Sequence, residues 1–233
     1  MIDGRKKDAS TGHAFLRLFR IASPFALLVA LAAPAAAQQD EALPPFVFDV
    51  HGLYAKHKNE PSVATELDVA SGNLPAHTFG LVGGGHVYVL RGSKIKIGFG
   101  GTFLAAGGHD TIETTNTDGS MTTSPTVQRH FRSIDPEISF NFGHRNGWSY
   151  ISGGIGGRSR LYLDRADAPA SNAPARSTLT YGAGARWFAN NHVAFSVEVR
   201  WYSIAEQPAS LANNIQLEPR TTLMVLSGGI SLK

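Results

Sequence analysis

Apolar and polar residues alternate along much of this chain, and the alternation is clearest between Thr178 and Tyr202. Its second half sets Val193, Phe195, Val197, Val199 and Trp201 against Ala194, Ser196, Glu198, Arg200 and Tyr202. The side-chain period of a β-strand sends the two sets to opposite faces. The pair Asn190 and Asn191 precedes this run and supplies turn residues that tolerate a left-handed backbone. The stretch therefore predicts a β-hairpin with one apolar and one charged face.

The same period-two alternation recurs along the chain and predicts eight strands. They lie near residues 46–54, 77–90, 94–105, 129–143, 148–163, 178–187, 193–202 and 220–233. Pro136 interrupts the fourth strand, and because proline cannot donate to a ladder, it predicts a bulge or weakened pairing there. The connections alternate in length, with loops of roughly 13 to 23 residues at one end and turns of roughly 2 to 4 at the other, which is typical of bacterial outer-membrane barrels. The predicted fold is all-β: an eight-stranded antiparallel up-and-down transmembrane β-barrel.

The distribution of charge predicts which face of the barrel is outside. Arg or Lys facing lipid near the bilayer midplane costs about 2 to 4 kcal/mol, so the charged face is expected to line the lumen. The predicted lumen polar network comprises Asp49, His51, His86, Lys96, Glu137, Arg158, Arg160, Arg186, Glu198 and Arg200. Trp148, Trp187 and Trp201 lie near strand ends, where interfacial aromatic belts are expected. A secreted, lipocalin-like soluble barrel is the alternative, and it requires an apolar interior and a polar exterior.

The N-terminal segment has the three parts of a secretory signal peptide. Five Lys and Arg residues precede the apolar run 21–32, and the small residues 35–37 offer a cleavage site. The run is shorter than the roughly twenty apolar residues of a spanning helix. We therefore expect residues 1–37 to be a signal peptide and 38–233 to be one barrel domain, with an uncleaved anchor as the alternative.

Charge and cysteine content exclude several classes of function. The predicted signal carries five of the 21 Lys and Arg and two of the 18 Asp and Glu, which leaves 16 of each. The basic balance therefore belongs largely to the export signal and predicts no nucleic-acid partner. The chain contains no cysteine, which excludes a disulfide framework and thiolate chemistry.

Three segments carry a resemblance to a known family: the strand Tyr181 to Trp187, the strand Phe195 to Arg200 and the alternating C-terminal strand. In them the chain resembles the small OmpA/OmpX-type outer-membrane β-barrels of Gram-negative bacteria. The resemblance extends over essentially the whole of residues 38–233. It implies an outer-membrane location, contact with outer-membrane lipid and lipopolysaccharide, and insertion by the barrel-assembly machinery.

No motif in the chain predicts catalysis. His51 and His86 are expected on the inward face of neighbouring strands with Asp49 nearby, and they are more typical of polar lumen partners than of an acid–base or metal cluster. We expect no catalytic residue, metal or cofactor. The predicted function is that of a non-enzymatic barrel serving membrane integrity, surface-loop interaction or narrow solute passage. The alternative is a lipid-modifying outer-membrane enzyme with an active site at the rim. The pattern is compatible with an open and with a plugged lumen.

Overall fold

The computed structural model describes ten ranges of the chain: 45–58, 61–67, 71–91, 95–111, 113–115, 119–123, 126–144, 147–167, 173–207 and 219–233. The predicted signal peptide, 1–37, lies outside these residues. No helix within the described ranges is long and apolar enough to cross a membrane.

Eight long antiparallel strands close into a barrel, which confirms the predicted fold class. The elements in chain order are β1 (Phe46–Lys56), α1 (Pro61–Glu66), a 3₁₀ turn (Ser71–Asn73), β2 (His77–Arg91), β3 (Ile95–Asp110), β4 (Glu113–Thr115), β5 (Met121–Thr123), β6 (Val127–His144), β7 (Gly147–Arg165), β8 (Arg176–Phe188), β9 (Val193–Ile204) and β10 (Thr221–Leu232). Each barrel strand pairs with the next barrel strand along the chain, and β1 pairs with β10 to close the sheet. The short strands β4 and β5 pair only with each other.

The two ends of the barrel differ as the loop lengths predict. Connections 57–76, 111–126, 166–175 and 205–220 leave one end, while 92–94, 145–146 and 189–192 join strands at the other end. The first and last strands begin and end at the short-turn end, since Phe48 is opposite Leu232. The helix α1 and the β4–β5 hairpin lie in connections that the sequence predicts as plain loops. Elements of six and three residues are too short for a hydrophobic period to reveal.

The turn between β8 and β9 lies where the asparagine pair predicts it, and the side chain of Asn190 closes it. The side-chain Oδ1 of Asn190 accepts hydrogen bonds from the backbone N–H groups of His192 and Val193, at 2.8 and 2.9 Å. This Asx-type arrangement satisfies backbone donors that have no ladder partner. The hairpin is therefore closed by local chemistry.

A β-bulge interrupts β7 and changes the direction of every side chain beyond it. Against β6 the register passes from Ile138 opposite Gly153 to Ile134 opposite Arg158, and β7 also carries one extra residue against β8. The extra residue is Gly156, whose φ of 84° is in the left-handed region that favours glycine. The break in β6–β7 pairing spans Pro136, as its missing N–H predicts.

The interior is layered along the barrel axis. At the short-turn end lies an apolar cluster of Val47, Tyr88, Trp148 and Tyr150. Toward the long loops lies a second apolar cluster that includes Leu53, Leu104, Phe131, Tyr202 and Leu223. The side chains of Val47, Asp49, His51 and Leu53 all point into the barrel, at successive heights along β1. Asp49 and His51 therefore lie between the apolar cluster of Val47 and the apolar cluster of Leu53.

Candidate functional site

Two ion-pair networks occupy the middle of the barrel interior. In the first, Arg186 on β8 faces Asp49 on β1, and both side chains are buried, at 1% and 7% exposure. The Arg186 Nε and Nη2 donate to the two Asp49 carboxylate oxygens, at 3.1 and 2.6 Å. The hydroxyl of Ser231 also donates to Asp49, at 2.5 Å. The pair is bidentate, which is the strongest form of Arg–carboxylate contact.

A histidine and a serine extend the first network. The Nε2 of His51 lies 2.6 Å from Ser196 Oγ, and Ser196 lies 3.0 Å from Ser231 Oγ. The same His51 nitrogen is 3.8 Å from Asp49, so the acid and the serine meet the same side of the imidazole. A catalytic triad requires the acid on the other ring nitrogen. The arrangement is therefore that of a structural network.

The second network is centred on Arg200 of β9. Its guanidinium contacts both oxygens of Glu137 on β6, and its Nε donates to Glu198 at 2.5 Å. Glu198 also accepts the Tyr150 hydroxyl, at 2.5 Å. His86 approaches Glu137 at 3.4 Å. Two acids therefore surround one arginine across the full width of the barrel.

The structure locates eight of the ten predicted network residues inside the barrel. They are Asp49, His51, His86, Lys96, Glu137, Arg186, Glu198 and Arg200. The sequence did not identify the serines and threonines that link them, such as Ser196, Ser231 and Thr102, whose hydroxyl donates to Glu137 at 2.8 Å. Their inward position follows from the same alternation, but their partners lie on strands distant in sequence.

The predicted inward direction of Arg158 and Arg160 is wrong. Both residues are exposed on the barrel exterior. The bulge at Gly156 adds one residue to β7, and a shift of one residue exchanges the two faces of a strand. For the same reason Leu161, the neighbour of Arg160 along β7, packs against the interior cluster.

Trp148 also departs from the prediction. It was expected in an interfacial belt, yet it is only 2% exposed and packs inside the barrel against Tyr88, with ring centroids 6.3 Å apart, and against Phe188, at 4.9 Å. Trp148 is two residues from Tyr150 on the same strand, so the alternation of faces itself indicates that both side chains point inward. Trp187, in contrast, is exposed on the exterior.

The described parts of the connection after β1 pack against strand ends on the long-loop side of the barrel. Ala64 of α1 and Leu74 beyond the 3₁₀ turn are buried against Val127. Arg165 donates to the Leu67 carbonyl at 2.8 Å and to the Asp167 carboxylate at 2.9 Å, and its hydrogen bonds to Asp167 lower the pKa of that carboxyl. Residues 61–67 and 71–76 therefore form a cap beside β6 and β7.

His57 lies at the base of this cap, just beyond β1. It is buried, and its Nε2 lies 2.9 Å from the hydroxyl of Thr78. Burial, together with the positive charges of Arg129 and His77, lowers the pKa of His57 to about 3. The imidazole is therefore neutral at physiological pH.

The barrel exterior is a band of exposed apolar side chains. It includes Phe48, Val50, Leu81, Phe99, Phe103, Ile134, Ile151, Ile155, Phe195, Val197, Leu226 and Ile230. Ile155 is 81% exposed. A soluble monomer rarely exposes a continuous apolar patch of more than a few hundred Å². The soluble-barrel alternative needs the opposite arrangement of faces.

A closed barrel with an apolar exterior and a hydrogen-bonded charged interior is the architecture of transmembrane β-barrel proteins, and this chain has that fold. No family model matches the sequence, and no curated protein matches it significantly.

Several solved structures are similar in fold. Neisserial surface protein A is 12% identical with a TM-score of 0.49, over 83% of this chain and 99% of that one. OprG of Pseudomonas aeruginosa, an outer-membrane protein, is 10% identical with a TM-score of 0.45, over 80% and 94%. The outer-membrane protease OmpT of Escherichia coli is 9% identical with a TM-score of 0.40, over 68% of this chain and 64% of OmpT. At these identities the likeness concerns the fold alone and says nothing about a shared activity.

Proposed function

We propose that this protein is a non-enzymatic, integral outer-membrane β-barrel with a closed lumen. It serves membrane integrity or presents its long loops to a surface ligand, and it does not conduct solutes. The apolar band supports residence in lipid, because such a surface is stable only against hydrocarbon. The alternation of long and short connections supports the bacterial outer membrane.

The observation that carries the closed lumen is the filling of the interior at successive heights. From the short-turn end, the side chains of Trp148 and Tyr150 are followed by the Arg186 network, the Arg200 network and the layer of Tyr202 and Phe131. The interior of an eight-stranded barrel is just wide enough for side chains. A hydrated solute could pass through the lumen only if these contacts broke at the same time.

Planar-bilayer recording tests the closed lumen. We expect the refolded wild-type protein to show no stable conductance. The triple variant Glu137→Ala/Glu198→Ala/Arg200→Ala removes the central arginine with both of its acids, leaves none of the three as a lone charge, and should create a measurable leak. Heat-modifiable gel migration checks that both proteins are folded. Steady channels in the wild type would contradict the closed lumen and favour a solute pore.

The orientation in the membrane is tested by labelling on intact cells. The chain has no cysteine, so single cysteines give unambiguous sites. Glu206→Cys lies in a long connection, and His192→Cys lies in a short turn; both positions are exposed. We expect an impermeant thiol reagent to reach only Glu206→Cys. Labelling of His192→Cys alone would reverse the topology.

No observation favours the lipid-modifying enzyme. Ser196 and His51, which have nucleophile and base geometry, are buried at mid-height in the barrel, while such an enzyme needs its site at the rim. The hydroxyl and imidazole of Thr78 and His57 also meet, at the long-loop end, but both residues are buried. Unchanged lipid A composition on expression of the protein is the expected result, and a new acylation pattern would support the enzyme instead.

A further inference from the structure

Three arginines form a basic patch on the outside of the barrel, composed of Arg132, Arg158 and Arg160. In the β6–β7 register Arg132 is directly opposite Arg160, while Arg158 is opposite Ile134. All three are exposed. Arg132 lies five residues from the start of β6, and Arg160 five from the end of β7, so the patch is near the long-loop end. The outward face of this strand pair continues below the patch with Ile134 and Ile155, which are exposed.

The patch is a consequence of the bulge at Gly156. Without the extra residue, Arg158 and Arg160 would point into the lumen and Arg132 would have no basic neighbours. The backbone at Gly156 takes a φ that other residues adopt only with strain. The fold therefore brings three positive charges together at the upper border of the apolar band.

This arrangement has no counter-charge among the residues that the structure describes. No Asp or Glu of those ranges forms an ion pair with the three arginines; Arg158 donates to the Ala175 carbonyl at 3.5 Å. Asp164, further along the same face of β7, lies 3.7 Å from His130. Like charges directly opposite each other on neighbouring strands are destabilising. An anion between the guanidinium groups would relieve that repulsion and accept charge-assisted hydrogen bonds.

Among the residues that the structure describes, the strand neighbours of the patch leave it open to such an anion. Ala105 is opposite Arg132 on β3, and Ser177 is opposite Arg158 on β8. These small side chains do not cover the guanidinium groups from either side. Directly toward the membrane centre lie Phe103, Ile134, Ile155 and Leu179, all exposed. The surface therefore combines a site for an anion with an apolar surface beneath it.

We propose that the basic patch binds the phosphate of a lipid in the leaflet on the long-loop side, with the acyl chains lying against the apolar band below. A phosphorylated glycolipid such as lipid A has this chemistry, since its phosphates lie at the border of its hydrocarbon. A free phosphate lacks the acyl chains and would gain nothing from the apolar surface. The inference rests on the proposed membrane location.

Binding of lipid A to the detergent-solubilised barrel, measured by native mass spectrometry, tests the proposal. The test variant is Arg132→Gln/Arg160→Gln. The control variant is Lys56→Gln/Arg220→Gln, which removes the same charge from exposed positions on the opposite side of the barrel. We expect the test variant to bind at least about tenfold more weakly, since the loss of even one charge-assisted hydrogen bond implies that change, and the control to bind as wild type.

A second readout separates lipid binding from a structural role. Without lipid A, the test variant should unfold at the same or higher urea concentration than wild type, because a like-charge pair has been removed. Adding lipid A should raise the midpoint of wild type but not of the test variant. Arg132→Lys/Arg160→Lys keeps the charge and should bind with intermediate affinity, because lysine lacks the bidentate geometry.

Three results would overturn the lipid site. They are equal lipid A binding by wild type and test variant, an equal loss in the control variant, and displacement by inorganic phosphate as effective as lipid A itself, which indicates a small-anion site. Recovery of wild type as a soluble, detergent-free monomer would instead overturn the proposed membrane function. The two failures are therefore distinguishable.

Discussion

The pair formed by Asp49 and Arg186 provides a quantitative test of the closed interior. The two side chains make a bidentate contact across the barrel, with distances of 3.1 and 2.6 Å, and are almost completely buried. The Arg186 guanidinium also lies 4.2 Å from the ring centroid of Tyr150. Replacing Asp49 alone therefore leaves a cation enclosed by protein with no acid in contact.

The magnitude follows from the physics of buried ions. Removing one partner of a buried pair costs about 3 to 5 kcal/mol, because the remaining charge stays desolvated. Removing both can cost much less, since neither charge is then left behind. We expect Asp49→Ala and Arg186→Met each to lower the free energy of unfolding by about 3 kcal/mol or more. The double variant should fall short of their sum by about 2 to 3 kcal/mol.

Urea titration in phosphatidylcholine vesicles, followed by tryptophan fluorescence, measures all four proteins. The matched control is the pair of Arg165 and Asp167 beside the cap, which is also bidentate, at 3.0 and 2.9 Å, but has side chains 25% and 49% exposed. The cycle of Arg165→Met with Asp167→Ala should give a coupling well below that of Asp49 with Arg186, because water screens ion pairs at the surface. Additive effects at Asp49 and Arg186 would mean that water separates them, and the closed lumen would have to be abandoned.

Three further predictions follow from other residues. Glu198→Ala, which removes an acceptor buried in the Arg200 network, should lower the urea midpoint more than Glu206→Ala in an exposed connection; equal midpoints would indicate a solvated lumen. Because the folded-state pKa of His57 is depressed, the unfolded chain takes up its proton first. The His57 contribution to stability should be nearly constant above about pH 7 and fall by about 2 kcal/mol between pH 7 and pH 5. In urea titrations across pH, His57→Gln should reduce the slope by that amount. Gly156→Ala should cost about 1 kcal/mol through backbone strain alone, because its Cβ would meet nothing within 4 Å; a matched Gly83→Ala, with equal space but no positive φ, should cost less in the same titration.

The local pattern of the sequence determined the strands, their two faces and the sites of the turns. Alternation with period two is a property of the extended backbone itself, so Val197 and Glu198 point to opposite sides wherever the strand is placed. Asn190 closes its hairpin through its own neighbours, which is equally local. The excess of charge on one face then determines which face lines the lumen, because a charged side chain that faces lipid is costly.

The partners within the interior could not be predicted in this way. Asp49 and Arg186 are separated by 137 positions, and Arg200 and Glu137 by 63. Many inward acids and bases are compatible with the same alternation. Their pairing depends on the height of each residue in the closed barrel, which the register of all the intervening strands sets together.

The direction of Arg158 and Arg160 shows the same limit most clearly. Four of the five residues from Gly153 to Gly157 are glycines, and Leu161 and Leu163 follow them. This pattern indicates that the alternation of faces can shift by one residue in β7, but it does not indicate at which residue. A bulge is a relation between strands, defined by the pairing of β7 with β6 and with β8. The side chains before Gly156 point as the local pattern predicts. Beyond it, Arg158 and Arg160 point outward instead of into the lumen, because the pairing of β7 with its neighbouring strands leaves Gly156 without a partner, and only the tertiary structure decides that pairing.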